Sequence, residues 1–252
     1  MARVICLSGA GLSADSGLST FRGADGLWNN HRVDQVCNIT RWKANFDVVH
    51  RFYNDLRTGL PKVEPNAMHR LLASWQDRFE TVLITQNVDD LLERAGARDV
   101  LHLHGRLEEM LCVACGNVWN IGHRAYNPME ETCPACPCRK GVKPNVVFFG
   151  ERAPAYLDLG RVLKSVTPED VFVVIGTDGR VVPVGTIVAE LKCRKVLNNL
   201  EPVSQDEWLP GMVHECLFNR AIFRPAVDAV EELDEIVSAW MAEVNDTPSA
   251  VA

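Results

Sequence analysis

The sequence predicts an α/β fold: a doubly wound, mostly parallel sheet with a smaller helical and zinc-ribbon domain. Short apolar runs of strand character, such as Val4–Leu7 and Val171–Ile175, alternate with helical patterns along the chain. A glycine-rich turn follows the first of these runs. A cluster of five cysteines interrupts the alternation near the middle of the chain. The first two observations predict the sheet and its ligand edge, and the third predicts a metal-stabilised insert.

The turn after the first strand has the spacing of a dinucleotide-binding fingerprint. Gly9, Gly11 and Ala14 form Gly-x-Gly-x-x-Ala between the predicted strand and a helix. Glycines permit a tight turn and a close approach of pyrophosphate, and the helix directs free N–H groups at phosphate. The pattern favours a Rossmann-type domain, although such a turn by itself is also compatible with a structural role.

Composition excludes several functional classes. The 252 residues are 47% hydrophobic and 23% charged, as in an ordinary globular protein, and the net charge is −7. An acidic chain is a poor nucleic-acid binder but leaves room for cationic, lysine-bearing partners. No apolar run is long enough to span a membrane, and no signal peptide is recognisable. We therefore expect a cytoplasmic protein, without nucleic-acid or membrane partners.

The cysteines of the middle segment have metal-ligand spacing. Cys112 and Cys115 form one Cys-x-x-Cys pair, and Cys133 and Cys136 form a second, followed by Cys138. In an intracellular protein this pattern indicates zinc rather than disulfides. Four thiolates close a tetrahedral site, so the zinc is expected to be structural. The local spacing favours Cys136 as the fourth ligand.

The stretch from Gly9 to Arg22, Gly-Ala-Gly-Leu-Ser-Ala-Asp-Ser-Gly-Leu-Ser-Thr-Phe-Arg, resembles the NAD-binding signature of the sirtuins, the NAD-dependent protein deacylases. Five further segments match the family in order, among them Gln86-Asn87-Val88-Asp89 and His104-Gly105. The resemblance covers about the whole chain. It implies a Rossmann-type domain, NAD as co-substrate and acylated-lysine proteins or peptides as substrates.

The resemblance also implies which residues contact NAD. Asn87 and Asp89 would hold the nicotinamide carboxamide, and Gln86 the ribose. Asp178 stands where the family has a serine near the phosphates, and a carboxylate there would repel pyrophosphate. The full predicted NAD-binding set is Gly9, Ala10, Gly11, Ser13, Thr20, Phe21, Arg22, Trp28, Gln86, Asn87, Asp89, Gly176, Thr177, Asp178, Asn199, Leu200, Glu201 and Ala221.

His104 and Asn87 are the predicted catalytic residues. His104 lies at the end of the predicted strand Leu101–Gly105, where the family keeps its general base, and His102 is the nearest competitor. Histidine accepts a proton near neutrality because its ordinary pKa is about 6.5. The resemblance implies that the acyl oxygen attacks the ribose carbon bearing nicotinamide. The products would be nicotinamide, free lysine and O-acyl-ADP-ribose.

Three residues are predicted to shape the acyl pocket. Ala24 resembles the small residue of bacterial and mitochondrial deacylases that accept bulky or acidic acyl groups. That class pairs a tyrosine with an arginine three residues later. Here Tyr53 is followed by Leu56 at that place and by Arg57 four residues on, still on one helix face. We therefore expect deacetylation with some desuccinylation, the latter dependent on Arg57.

The segment Lys143–Glu151 resembles another family motif. It implies that the peptide pairs with a strand formed by Val146, Val147, Phe148, Phe149 and Gly150. Aligning this motif places the family's last zinc ligand on Cys138 instead of Cys136. The predicted zinc ligands are accordingly Cys112, Cys115, Cys133 and Cys138.

The predicted Rossmann-type domain comprises residues 1–22, 75–105 and 144–245, and the small domain residues 23–74 and 106–143. Residues 246–252 are expected to form a tail, and the protein is expected to be a monomer. Two alternatives remain. One is an NAD hydrolase or mono-ADP-ribosyltransferase on the same fold, and the other is a non-catalytic NAD-sensing or zinc-scaffold protein.

Overall fold

A computed structural model describes residues 2–19, 27–28, 31–204, 206 and 209–246. Its main element is a six-stranded sheet of order β11-β10-β9-β1-β4-β5, in which every neighbouring pair is parallel. The strands are β1 (Arg3–Ser8), β4 (Glu80–Thr85), β5 (Leu101–His102), β9 (Val171–Ile175), β10 (Arg194–Asn199) and β11 (Arg220–Phe223). This topology confirms the predicted doubly wound α/β fold.

Helices cover both faces of the sheet because the residues of its central strands point alternately to two cores. Val4 and Cys6 of β1 belong to one core, whereas Ile5 and Leu7 belong to the other. All four are buried, and such side chains contribute about 1.5–3 kcal/mol each when they leave water. The helices are α1 (Gly11–Ala14), α2 (Val33–Val36), α3 (Phe46–Gly59), α4 (Ala67–Arg78), α5 (Leu91–Arg94), α6 (Tyr156–Lys164), α7 (Val184–Glu190) and α8 (Val230–Asp246).

Two small antiparallel sheets lie outside the main sheet. One pairs β2 (Leu27–Trp28) with β3 (His31–Arg32), and the other has the order β7-β6-β8. The latter consists of β6 (Gly105–Cys112), β7 (Val118–Asn120) and β8 (Val142–Val146), with a register shift between β6 and β8. The cysteine-rich segment joins β6 to β8. The predicted boundaries between the two domains stay a prediction. Strands β6 and β8 each extend across one of these boundaries.

Most predicted elements are present, with changes at their ends. Helix α3 begins at Phe46, after a series of turns over residues 39–45. The last helix begins with a separate 3₁₀ turn at Ala226–Asp228. Among the described residues, no helix is long and apolar enough to cross a membrane. The predicted tail lies almost entirely outside the described residues.

Candidate active site

The candidate site lies at the carboxyl ends of β1, β9 and β4. The chain leaves β1 towards β4 on one side and later returns to β9 on the other, so this edge is the topological switch point where open α/β sheets bind ligands. The N–H of Gly11 donates to the carbonyl of Gly176 over 2.9 Å. A Cβ on Gly176 would lie 2.4 Å from the backbone nitrogen of Leu12. The two glycine-rich turns therefore pack directly together, with Gly9 and Ala10 just before α1.

Part of the predicted NAD-binding signature cannot be placed. Thr20, Phe21, Arg22 and Ala24 lie outside the described residues. Trp28 is described, and its ring packs edge-on against Phe52 and Tyr53, with centroid distances of 5.1 and 5.9 Å. Trp28 therefore contacts helix α3.

Ser13 is the hub of a buried hydrogen-bond network that joins both predicted nicotinamide contacts. Its hydroxyl donates to Oδ2 of Asp89 over 3.0 Å and accepts from the amide of Asn87 over 3.0 Å. Ser13 is 2% exposed and Asp89 is 9% exposed. Burial raises the pKa of Asp89, while the Ser13 hydroxyl and the N–H of Leu91 favour its charged form. One hydroxyl thus fixes the orientation of an amide and a carboxyl group.

His69 completes this network. Its Nδ1 accepts from the backbone N–H of Asn66 over 3.2 Å, so Nε2 carries the proton and donates to the Ser13 hydroxyl over 3.3 Å. Burial lowers the pKa of His69 to about 4, which keeps the ring neutral and in this tautomer. His69 therefore positions Ser13, a role that sequence reasoning missed because the contact joins α4 to α1.

Gln86, Thr177 and Asn199 connect the same edge of the sheet to β10. The Gln86 amide donates to the Thr177 hydroxyl over 3.1 Å. Asn199 exchanges two hydrogen bonds with the backbone of Thr177, of 3.0 and 2.9 Å. The turn after β9 is thereby held from both sides.

A pocket with a volume of about 170 Å³ opens beside β10. Of the predicted NAD-binding residues at the end of β10, Asn199 lines it, whereas Leu200 and Glu201 lie exposed just beyond the strand. Ala221 is exposed opposite Leu197, and the pocket wall on β11 is formed by Phe223 instead. The pocket is lined by Leu197, Asn199, Pro202, Val203, Val213, His214, Glu215 and Phe223.

Asp178 is turned towards a cation of its own loop. Its Oδ2 lies 2.7 Å from Nε of Arg180, and its Oδ1 accepts from the backbone N–H of the same residue. This ion pair offsets the negative charge that the sequence places near the phosphate-binding turns.

Both ring nitrogens of His104 make hydrogen bonds, one as a donor and the other as an acceptor. It lies in the turn between β5 and β6, and Nδ1 donates to the carbonyl of Gln86 over 2.9 Å, because a carbonyl only accepts. The lone pair of the neutral ring is then on Nε2, which accepts from the Tyr156 hydroxyl over 3.1 Å. Burial lowers the pKa of His104, opposed by the Gln86 carbonyl. The ring is therefore an unprotonated base near neutrality.

The competitor His102 is fully engaged. Its Nδ1 contacts the Asn87 carbonyl at 2.9 Å, and its Nε2 contacts the Glu93 carboxylate at 2.8 Å. Its side chain is 4% exposed. Both nitrogens of His102 are thus used in contacts that hold the loop of Asn87. His104 is therefore the better-placed base.

The expectation for Arg57 is wrong. Arg57 is 1% exposed, and its guanidinium donates to the Leu107 carbonyl and, over 2.8 Å, to Asn54 Oδ1. Leu107 lies where β6 and β8 lose register, so the arginine satisfies a carbonyl that the ladder leaves without a partner. Burial lowers the pKa of Arg57 to about 10. A guanidinium used in this way is not available to bind an acyl carboxylate.

Tyr53 is buried as well. It is 1% exposed, stacks on Phe148 with a centroid distance of 5.7 Å, and its hydroxyl lies beside the buried Cys37 thiol. Burial raises the pKa of Tyr53 well above its ordinary value. The predicted Tyr53–Arg57 pair therefore does not form one carboxylate-binding site.

The predicted peptide-binding strand already uses three successive backbone donors. The N–H of Val147 donates to the His104 carbonyl, that of Phe148 to the Glu151 carboxylate, and that of Phe149 to the Cys37 carbonyl, each over 2.9 Å. Val146 and Phe148 are buried, whereas Gly150 is exposed. A peptide that pairs with this strand must use its remaining backbone N–H and C=O groups or break these three hydrogen bonds.

The expected fourth zinc ligand is corrected from Cys138 to Cys136. The four sulfurs that lie within 4.8 Å of one another belong to Cys112, Cys115, Cys133 and Cys136. Sγ of Cys112 is 3.7 Å from that of Cys136, and Sγ of Cys115 is 3.6 Å from that of Cys133. Zn–S bonds of about 2.3 Å in a tetrahedron place sulfurs about 3.8 Å apart. The donor set therefore fits a structural zinc, and the local spacing was the better guide.

Comparison with known proteins decides the family. A profile of the Sir2 family matches residues 9–183. The chain belongs to the Sir2 family. The site residues described above from Gly9 to Thr177 fall within the matched range.

Curated relatives match this Sir2 chain over almost its whole length. An NAD-dependent protein deacylase of Helicobacter hepaticus is 40% identical over 257 residues, which covers 93% of this chain and 97% of the relative. A protein of the same name from Campylobacter jejuni is 38% identical over 97% of this chain and all of its own length. The NAD-dependent protein deacylase SIR2rp3 of Trypanosoma brucei brucei is 39% identical over 96% and 94% of the two chains.

Solved structures of Sir2 proteins have the same fold. A Sir2 homologue in complex with NAD has a TM-score of 0.77 at 30% identity, covering 95% of this chain and 90% of that one. A complex described as Sir2 with a p53 peptide and NAD⁺ has a TM-score of 0.72 at 25% identity, covering 94% and 93%.

Proposed function

We propose that this Sir2 chain is an NAD-dependent protein-lysine deacylase that releases nicotinamide, free lysine and O-acyl-ADP-ribose. The observation that carries the proposal is the pairing of the Ser13 network with His104 at one edge of the sheet. The network fixes an amide and a carboxyl group, and the histidine presents an unprotonated nitrogen beside them. Relatives that are about 40% identical and bear the deacylase name support the same activity.

The residues of this edge fit NAD. Gly9, Gly11 and Gly176 form a backbone cradle whose close packing suits the approach of pyrophosphate. Asn87 offers amide groups and Asp89 a carboxyl, which complement the donors and acceptors of a carboxamide. When bound, NAD supplies an ADP-ribose acceptor and a nicotinamide leaving group. The pocket beside Asn199 is the proposed place of the adenosine.

His104 is the proposed general base. Because Gln86 holds the proton on Nδ1, Nε2 carries the lone pair that can accept a proton from a hydroxyl. Tyr156 contacts that nitrogen in this structure, so a substrate hydroxyl must displace the tyrosine or share Nε2 with it. The lowered pKa of His104 keeps the base active slightly below neutral pH.

Acetyl-lysine is the proposed preferred substrate. Recognition of an acidic acyl group needs a cation in the pocket, and Arg57 is committed to the Leu107 carbonyl and Asn54. The size of the acyl pocket near Ala24 stays a prediction. A cytoplasmic location and a monomeric state also stay predictions, and the absence of a disulfide among the nine cysteines suits a reducing compartment.

The zinc proposed at Cys112, Cys115, Cys133 and Cys136 would be structural. Four thiolates complete its coordination and leave no position for a substrate. Its expected role is to hold the loops that join β6, β7 and β8, because metal-binding free energy becomes folding free energy in such modules.

The function is tested by incubating the protein with NAD in the presence and absence of an acetyl-lysine peptide. We expect nicotinamide release only with the peptide, in equal amounts with free lysine and O-acetyl-ADP-ribose. NAD loss without peptide indicates a hydrolase, and ADP-ribose attached to protein indicates a transferase. Absence of turnover, together with retained NAD binding, indicates a sensing or scaffold protein.

A further inference from the structure

We propose that Asp90, Glu108 and His123 form a second metal site, separate from the four cysteines, that binds a divalent transition-metal ion of the zinc class. One ligand atom of each residue lies within 4.8 Å of the other two. Nε2 of His123 is 2.8 Å from Oδ2 of Asp90 and 4.0 Å from Oε1 of Glu108. The proposal goes beyond deacylation and does not depend on it.

The second oxygen of Asp90 has no hydrogen-bond donor among the described residues, and it lies 3.9 Å from Nη1 of Arg94. Asp90 is 4% exposed, and its Oδ1 is buried with no hydrogen-bond partner among the described residues. Asp90 precedes α5, but its side chain makes no capping hydrogen bond. A buried carboxylate oxygen without a partner costs about 1–3 kcal/mol or more, so it is retained where a ligand satisfies it.

The surrounding cations neutralise the two carboxylates only in part. Nη1 of Arg94 is 3.9 Å from Asp90 Oδ1, beyond hydrogen-bond distance, and the guanidinium donates to the Leu60 carbonyl and Glu64. Arg106 pairs with Glu93 at 2.8 Å. The His123 ring contacts both carboxylates, with Nε2 at 2.8 Å from Asp90 and 4.0 Å from Glu108. A divalent cation would remove the repulsion between these like charges more completely than one ring proton.

The backbone holds the ligands in a nearly suitable arrangement. Glu108 is on β6, and the N–H of Ile121 donates to its carbonyl over 2.8 Å, so the turn carrying His123 is fixed beside it. Bonds of about 2.0–2.1 Å to zinc place tetrahedral ligands about 3.4 Å apart, so the 4.0 Å contact of His123 to Glu108 must shorten and its 2.8 Å contact to Asp90 must lengthen, each by about 0.6 Å. The side chains of His123 and Glu108 are 33% and 17% exposed, which gives the ion access from solvent.

The donor set selects the metal class. One imidazole and two carboxylates suit zinc and neighbouring transition metals better than magnesium or calcium, which prefer oxygen ligands alone. Three protein ligands leave a coordination position for water. Because Asp90 directly follows Asp89, a bound ion would tie the small three-stranded sheet to the loop that carries the nicotinamide contacts.

Zinc content measures the site directly. The full-length protein, with its cysteine-bound zinc retained, is dialysed against graded free Zn²⁺ and analysed by mass spectrometry of the metal. We expect saturation at two ions per chain for the wild type and one for Glu108→Gln and His123→Gln. Glu130→Gln is the matched control, because it removes an exposed carboxylate from the same module and should retain two ions.

Two further measurements on the wild type test the proposal even if a variant folds poorly. Co²⁺ added to the wild type should give weak d–d absorption without additional thiolate-to-cobalt charge transfer. A Zn²⁺ excess of about a hundredfold over Kd should raise the wild-type Tm by roughly 5–10 °C. Saturation of the wild type at one zinc, or two zinc ions in both ligand variants, would overturn the proposal. Neither NAD nor peptide is present, so this outcome is independent of the deacylation assay.

Discussion

Ser13→Ala tests the hydrogen-bond hub on which the proposed nicotinamide site depends. The change deletes a single oxygen that accepts from Asn87 and from His69 and donates to Asp89. The hub is buried, so water does not easily replace the oxygen. Two donors and one carboxyl group would lose their common partner.

The magnitude follows from these three contacts. An unsatisfied buried polar group costs about 1–3 kcal/mol, and relaxation of the side chains recovers part of the total. We expect the free energy of unfolding to fall by roughly 2–4 kcal/mol, which lowers Tm by roughly 5–15 °C. Loss of orientation at Asn87 and Asp89 should lower kcat/KM for NAD by roughly 10–100-fold, or about 1.4–2.8 kcal/mol.

The assays are thermal unfolding and steady-state turnover at varied NAD. Ser74→Ala is the matched control, because the Ser74 hydroxyl donates only to the Leu71 carbonyl of its own helix. The control should change the free energy of unfolding by less than about 0.5 kcal/mol. A Ser13→Ala protein with the Tm and kcat/KM of the control would refute the reasoning.

Four other substitutions have defined outcomes. Tyr156→Phe removes a donor to the neutral form of His104, so the acidic limb of the pH profile of kcat/KM should move to higher pH; an unchanged profile means that the contact is not made in solution. Arg57→Met should lower the free energy of unfolding by roughly 1–3 kcal/mol and reduce acetyl and succinyl turnover equally, whereas a selective succinyl loss would restore the discarded acyl-carboxylate role. Cys136→Ser should lose the structural zinc and Cys138→Ser should retain it, as metal analysis of the purified proteins will decide; the reverse result would reinstate Cys138.

Local patterns predicted the main sheet and the NAD edge because both depend on short stretches of chain. The apolar run Val171–Ile175 is a strand with those bounds, since buried parallel strands need continuous apolar sequence. The turn at Gly9 and Gly11 is tight because another backbone lies against it, at Gly176. The spacing of the two Cys-x-x-Cys pairs also predicted Cys136 as the fourth ligand, whereas the resemblance to the family motif favoured Cys138.

Other features depend on contacts between distant segments, which periodicity does not encode. The proximity of Tyr156 to His104 arises where α6 meets the turn after β5. The Arg57 side chain was misassigned because its partner, the Leu107 carbonyl, is available only where β6 and β8 lose register. A helical spacing showed the face on which Arg57 lies but not what that face packs against.

The most direct test of deacylation with His104 as the base compares wild type and His104→Ala on NAD and an acetyl-lysine peptide. O-acetyl-ADP-ribose and nicotinamide are measured by mass spectrometry, and NAD binding is measured separately by calorimetry. The account predicts equal yields of both products from the wild type, and from the variant NAD binding without O-acetyl-ADP-ribose. Formation of O-acetyl-ADP-ribose by His104→Ala at the wild-type rate would contradict it.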